Sequence, residues 1–252
     1  MTSSTGVPPI WEMTRMFGKS DRLGDIVARF PGAGSVLKEH HIDYCCNGGR
    51  SLEEAAVAEK VDTNALLVLV NEAYEKALAE GGKDHDWNVE PLEALVDHVL
   101  NTHHAYLQKT MPVLSELTSK ILRVHGQHHG AELGRVHKLF NEFRTDMEAH
   151  MIKEEESVFP LIVEFERTGD REKLARTVQT IEELEAEHQA AGDLLHQIAD
   201  VTAEYHIPED ACATYAYTYE KLEQVEEDTF RHVHLENNIL FPRLRAIQEP
   251  AR

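Results

Sequence analysis

HMIKEEESVFP, residues 150–160, recurs in altered form as HVHLENNILFP, residues 232–242. Both copies read His-x-x-x-Glu, then three residues, an aliphatic, and Phe-Pro. On a helix each residue advances about 100°, so positions four apart share a face. A helical wheel puts Phe140, Phe143, Met147, Met151 and Val158 on one apolar stripe. Glu154 falls inside that stripe and His150 beside it. In the second copy Leu222, Val225, Val233 and Leu240 flank Glu236, with His232 alongside. An ionised carboxylate taken out of water must be paired or coordinated, or it neutralises. A single His-x-x-x-Glu is most simply a solvated i,i+4 pair. Two copies at matched positions call for a common cause.

Working outward, the chain after Pro91 is helical in pattern. Segments of about 91–122, 131–166, 171–204 and 209–247 are separated by VHGQHHGAELG, ERTGDREK and HIPED. No stretch shows sustained strand alternation. The fold class is therefore all-α, an antiparallel four-helix bundle preceded by a small helical domain. His104 precedes His150 by 46 residues and His188 precedes His232 by 44. Each half is thus a helical hairpin with one His on its first helix and His-x-x-x-Glu on its second. His188 shares a stripe with Ile181, Leu184 and Leu195.

The converging set is His104, His150, Glu154, His188, His232 and Glu236. Four imidazoles and two carboxylates suit two metal ions, with each Glu able to bridge. Nitrogen and oxygen donors without thiolate favour iron or manganese over structural zinc. Six protein ligands leave positions on two ions open to O₂, NO or an oxo bridge. There is no HExxH, and the Glu-x-x-His spacing of ferritin-like sites is absent from these positions. In the first helix, Leu92, Leu95, Val96, Val99 and Leu117 centre nearer His103 than His104. Since adjacent histidines on a regular helix cannot both point inward, the two stand as rivals.

The 252 residues carry a net charge of −20, from 45 acidic and 25 basic side chains, which argues against nucleic acid or anionic membrane as partner. The longest aliphatic run, Ala65–Val70, is far too short to span a bilayer. Met1 to Ser20 contains no apolar signal-peptide core, so a cytoplasmic location is expected. Residues 1–20 read as a loose tail, 21–80 as the small helical domain, 81–88 as a linker and 89–247 as the bundle. In the small domain Leu23, Ile26, Val27 and Phe30 form a helical stripe that Pro31 stops. A second helix leads into the turn DYCCNGG. Ser51 with Glu54 makes a capping box, and Asp62 or Thr63 caps the next helix.

Three cysteines, two of them adjacent, do not make an extracellular disulfide framework. Cys45-Cys46 reads either as a thiolate pair for electron donation, NO handling or an intersubunit link, or as two small residues at a tight turn. Adjacent cysteines rarely bond to each other because the ring is strained. Asn47-Gly48-Gly49 allows close backbone approach or positive φ. Cys212 reads as structural, His128 and His129 as solvated, and His234 as pointing away from the metal set.

With the bundle placed, the chain resembles the iron–sulfur cluster repair di-iron proteins, whose C-terminal part is a hemerythrin-like bundle. The resemblance rests on PLEALVDHVLNTHHAYLQKTMPVL, RVHGQ, HMIKEEESVFPLI, EHQAAGDLL and HVHLENNILFPR. RLGDIVARFPGAGSVLKEHHIDYCCNGGRSLEEAA looks like that family's small Cys-bearing domain. The resemblance implies His104, His150, His188 and His232 as terminal ligands of two non-haem irons, with Glu154 and Glu236 bridging. It selects His104 over His103, eight residues before Pro112 as in the family's pattern. It places His125 near the metals and makes Cys45 and Cys46 redox candidates. It further implies repair of iron–sulfur clusters damaged by nitrosative or oxidative stress, by iron donation or NO handling. Damaged iron–sulfur proteins would be the partners and NO or O₂ the small ligands. A Cys domain on a hinge is compatible with a homodimer. The alternative is a hemerythrin-like O₂ or NO carrier or sensor without turnover; NO-reducing or redox catalysis is left open.

Overall fold

Pro31 ends the first helix where its ring demands. α1 runs Leu23–Arg29 and α2 Ala33–Glu39. Ser51 Oγ accepts from the Glu54 amide at 3.2 Å while Glu54 Oε2 accepts from the Ser51 amide at 2.9 Å, opening α3, Leu52–Ala58. Asp62 Oδ1 accepts from the amides of Asn64 and Ala65, opening α4, Thr63–Ala79. The expected capping box and Asp62 cap are both present. The structure, a computed structural model, describes residues 16–80 and 86–249. The expected tail and linker therefore fall partly outside the described residues, at 1–15 and 81–85.

The chain divides into two compact units, Met1–Pro91 with Val233–Ile247, and Leu92–His232 with Gln248–Arg252. In the first, Leu23, Ile26, Leu37, Leu52, Leu66 and Val70 are fully buried. Each such side chain stabilises by about 1.5–3 kcal/mol relative to exposure. Tyr74 meets Phe17 and Phe30 at ring-centroid distances of 5.0 and 5.4 Å, and the Arg29 guanidinium lies 3.9 Å over the Phe17 ring.

The bundle begins with α5, Leu92–His98, a wide π-turn at Val99–His104, and α6, Ala105–Lys153. A second π-turn, Glu154–Val158, leads to α7, Phe159–Thr168. Gly169, at φ 73°, ends α7 in the left-handed conformation, and Asp170 caps α8, Arg171–Val201. α9, Ala213–Leu235, passes through a third π-turn, Glu236–Leu240, into α10, Phe241–Gln248. Among the described residues there is no strand, and no helix is long and apolar enough to cross a membrane.

The antiparallel order is read from cross-helix pairs. Ser115 bonds Asn141, Thr118 bonds His137 and His104 bonds Glu155, so the chain doubles back on itself. His150–Glu187 and Lys173–Glu164 run the next helix back again. His103–Asp228 and His125–Cys212 do the same for the last. The loop expected around 124–134 is instead helical except at His129 (φ −118°, ψ 21°), where two helices meet at a kink.

The three π-turns have a chemical cause in two cases. A proline inside an α-helix clashes with the carbonyl four residues back and has no amide to donate. Pro160 and Pro242 each follow a π-turn by two residues, and the wider turn accommodates them. The Phe-Pro of each repeated phrase thus marks a local widening, and each widening opens on a buried Glu.

Candidate metal centre

The bundle unit brings five of the proposed ligands together. Glu154, His188 and His232 are 0% exposed, His104 1% and His150 3%. Glu154 Oε2 lies 3.3 Å from Nε2 of both His104 and His150, and 4.0 Å from His232 Nε2. His104 and His232 approach to 3.3 Å between Nε2 atoms, His150 and His188 to 2.9 Å. Glu236, four residues after His232 on the same continuous helix, is also fully buried. The ligand atoms form two groups, His104, Glu154, His232, Glu236 and His150, Glu154, His188, Glu236, each within 4.8 Å. Both groups share both carboxylates.

The chemistry of this donor set fits cations. Imidazole nitrogens that face each other at these distances cannot both carry a proton without repulsion. Two buried carboxylates beside them carry a formal charge of about −2, which a dry interior penalises heavily. Divalent ions between the nitrogens and oxygens satisfy both. The absence of thiolate from the set suits non-haem iron.

Outer carboxylates fix the imidazoles. His104 Nδ1 is 2.8 Å from Glu155 Oε1, which also accepts from Gln108 Nε2 at 2.9 Å. His150 Nδ1 is 2.8 Å from Glu187 Oε2, and Lys153 bonds both Glu187 and Glu183. The His150 hydrogen bond holds the Glu187 carboxyl down at about 2, aided by Lys153. A carboxylate on Nδ1 keeps the proton there and turns the Nε2 lone pair inward. Periodicity alone does not single out Glu155 and Glu187, although each adjoins a candidate ligand. Glu155→Gln and Glu187→Gln are each expected to weaken iron binding about 10–100-fold. Chelator competition on the refolded variants checks this.

The rivalry between His103 and His104 rests on a regular helix, and this helix is not regular. Both are buried. His104 faces Glu154, whereas His103 bonds Asp228 at 3.0 Å and stacks on His232 at 5.8 Å between centroids. The π-turn adds a residue per turn, so both rings point inward to different neighbours.

His125 requires a correction. It lies 21 residues beyond His104 along one helix, about 30 Å away at 1.5 Å per residue, and is not beside the metal set. Its Nε2 is 3.2 Å from Cys212 Sγ, and four residues on, at the kink, His129 bonds Asp210 at 3.0 Å. Cys212 is exposed rather than a packed structural residue, and His129 is not simply solvated. The His125 hydrogen bond, with the amides of Tyr215 and Thr214, lowers the Cys212 thiol to about 7. Thiolate is then present above about pH 7 and lost as pH falls below it. The alkylation rate of Cys212 should show its midpoint there, and move towards the ordinary thiol range in His125→Ala. Rate at one pH is the poorer readout, because nucleophilicity falls with pKa.

In the first unit, Cys45 is buried and Cys46 partly exposed. Asp43 Oδ1 accepts from the amides of Cys45 and Cys46 at 2.9 and 3.0 Å. A hydrogen bond with Cys46, then burial, then Asp43, push the Cys45 thiol well above its ordinary value. As folded, Cys45 keeps its proton, which goes against the thiolate alternative of the two readings of the pair. Asn238 Nδ2 donates to the Cys45 carbonyl at 2.9 Å, seating the turn on the π-turn that begins at Glu236. Gly48 allows the close approach expected of it, since a Cβ there would sit 2.6 Å from the Tyr44 carbonyl. His234 packs against the Tyr44 ring at 5.9 Å and is kept neutral by burial, its pKa lowered to about 4.

Comparison with known proteins adds an independent line. Residues 95–244 match the hemerythrin HHE cation binding domain, and residues 19–74 match ScdA_N, a domain of unknown function. The iron–sulfur cluster repair protein ScdA of Staphylococcus epidermidis is 30% identical over 230 residues, spanning 91% of this chain and 100% of the relative. The iron–sulfur cluster repair protein YtfE of an Enterobacter species is 32% identical over 224 residues, spanning 89% and 96%. YtfE of Citrobacter koseri is 31% identical over the same number of residues.

Proposed function

This chain belongs to the family of hemerythrin-domain iron–sulfur cluster repair proteins, and from that membership we propose that it restores iron–sulfur clusters damaged by nitrosative or oxidative stress. Its clients are damaged iron–sulfur proteins, and its place of work is the cytoplasm. The observation that carries the reading is the pair of buried donor groups sharing Glu154 and Glu236. His104 and His232 would hold one ion and His150 and His188 the other, with both carboxylates within reach of each. The cofactor this donor set would take is a pair of non-haem irons, with carboxylate and oxo bridging as the proposed arrangement; manganese would suit the same donors.

Such a centre supplies one-electron redox capacity, open positions for NO or O₂, and iron that can be given up. The chain's own residues prepare it. Glu155 and Glu187 hold protons on Nδ1 of His104 and His150, which orients both lone pairs inward. A groove of about 560 Å³ has an apolar wall of Val96, Leu100, Phe159, Pro160 and Val163 and a charged one that includes Glu93, Asp97, Glu155, Glu164 and Arg167. Phe159 lies 5.7 Å from the His104 ring, so the apolar wall of this groove backs onto the same imidazole that Glu155 orients.

Anaerobically purified protein tests the proposal. Metal analysis should find two irons per chain with nitrogen and oxygen ligation. Titration of the reduced protein with NO should change its iron spectrum, and the protein should reactivate a peroxide- or NO-damaged dehydratase. A metal-loaded bundle that neither binds NO nor reactivates the enzyme would refute the repair role.

A further inference from the structure

We infer that Asp43, Cys45 and Cys46 form a third metal site, separate from the bundle pair, for one divalent cation of borderline softness. The three ligand atoms lie within 4.8 Å of one another. Their spacing is that of a chelate. The two Sγ atoms are 3.7 Å apart, and two metal–sulfur bonds of about 2.3 Å across that gap meet at about 107°, near tetrahedral. Asp43 Oδ1 is 3.2 Å from Cys45 Sγ, on the same side of the turn.

The turn is built rather than incidental. The amides of Cys45 and Cys46 and the Asn47 Nδ2, at 2.5 Å from Oδ2, hold the Asp43 carboxylate in place. Ligating carboxylates ordinarily have such support. Asn238 fixes the turn from the other side through the carbonyls of Cys45 and Tyr44, at 2.9 and 3.3 Å. None of these contacts uses a sulfur atom, and the hydrogen bonds of Cys45 Sγ run only to Asp43 and Cys46, the other two members of the set. Cys46 and Asp43 are partly exposed, so an ion can enter from solvent.

Charge explains why the site wants a cation. The Cys46 hydrogen bond and burial keep the proton on Cys45, and the Asp43 charge adds to them; two thiolates beside that carboxylate would put three negative charges within one turn. A divalent ion displaces both thiol protons to solvent. Two S–H bonds are replaced by two S–metal bonds, no electron moves, and the site's charge stays at about −1. Three protein ligands leave a fourth tetrahedral position open. Closed structural sites use four, so this arrangement suits an ion that exchanges. Thiolate with carboxylate accepts Fe²⁺ or Zn²⁺; naming Fe²⁺ as the resident rests on the repair function proposed above.

The test uses the full chain carrying Cys212→Ser, kept reduced with a phosphine, its bundle loaded with iron beforehand. Titration with Co²⁺ should give a thiolate-to-metal charge-transfer band saturating at one equivalent. About two protons should be released per ion taken up. Cys46→Ser, which removes no backbone contact, should lose the band while its circular dichroism and bundle iron stay unchanged. Excess Fe²⁺ should displace the Co²⁺. Absence of the band at stoichiometric Co²⁺, or its survival in Cys46→Ser, overturns the site. Displacement by Zn²⁺ but not Fe²⁺ overturns its assignment to iron. Bundle iron, read from its own nitrogen and oxygen spectrum, reports separately on the di-iron reading.

Discussion

Glu154→Ala is expected to strip iron from both positions of the bundle together, and Glu236→Ala to do the same. Each carboxylate belongs to both donor groups, so one substitution removes a ligand from each ion at once. The remaining set carries one negative charge against two divalent ions. The metal-free protein should respond in the opposite sense. A fully buried carboxylate is a burden without a cation, so the apo variant should be no less stable than the apo parent. What vanishes is the rise in Tm on loading, worth about 2.7 kcal/mol when free metal exceeds Kd a hundredfold. Glu154→Gln keeps the shape and removes the charge, which separates packing from electrostatics. Full retention of two irons in both alanine variants would refute the bridging roles.

Replacing Cys45 and Cys46 together with alanine should reduce dehydratase reactivation to background while leaving bundle iron intact. The physical reason is that only sulfur is lost. The turn is seated through the Cys45 carbonyl and the two cysteine amides, and alanine keeps all of these. A plain carrier of O₂ or NO has no use for the pair, so unchanged reactivation would count against repair and in favour of carriage. Iron analysis and reactivation measured on the same preparation give the answer.

The helices and their buried stripes were legible because apolar residues recur with the helical period and nothing else in the chain competes with that signal. Phe140, Phe143, Met147 and Met151 are all buried, as are Leu222, Val225 and Val233. The π-turns were not legible, because a wheel assumes a constant 100° step. At Val99–His104 the extra residue moves the core face, which continues through His104, Leu107, Met111 and Leu114. Leu117, projected onto the stripe, ends up only half-buried. The clue lay in Pro160 and Pro242, which a regular helix does not accept without distortion. His125 went astray for a different reason. Its role came from likeness alone, and the helix expected to about 122 already carried the chain far from His104 before His125 was reached. Glu155 and Glu187 carried no periodic signal, since an orienting carboxylate is half-exposed and looks like any acidic residue on a helix surface.

The widened turns also bear on how the two buried carboxylates can move. A π-turn is a wider, less tightly wound loop of backbone, and Glu154 and Glu236 each stand at the entrance of one. Such a loop can re-pitch slightly without unwinding its neighbours, swinging its carboxylate through an ångström-scale arc. The scaffold can therefore stay folded while those carboxylates shift, with compliance confined to 154–158 and 236–240. Amide exchange should differ between empty and filled protein in those two short windows, against a rigid background on either side.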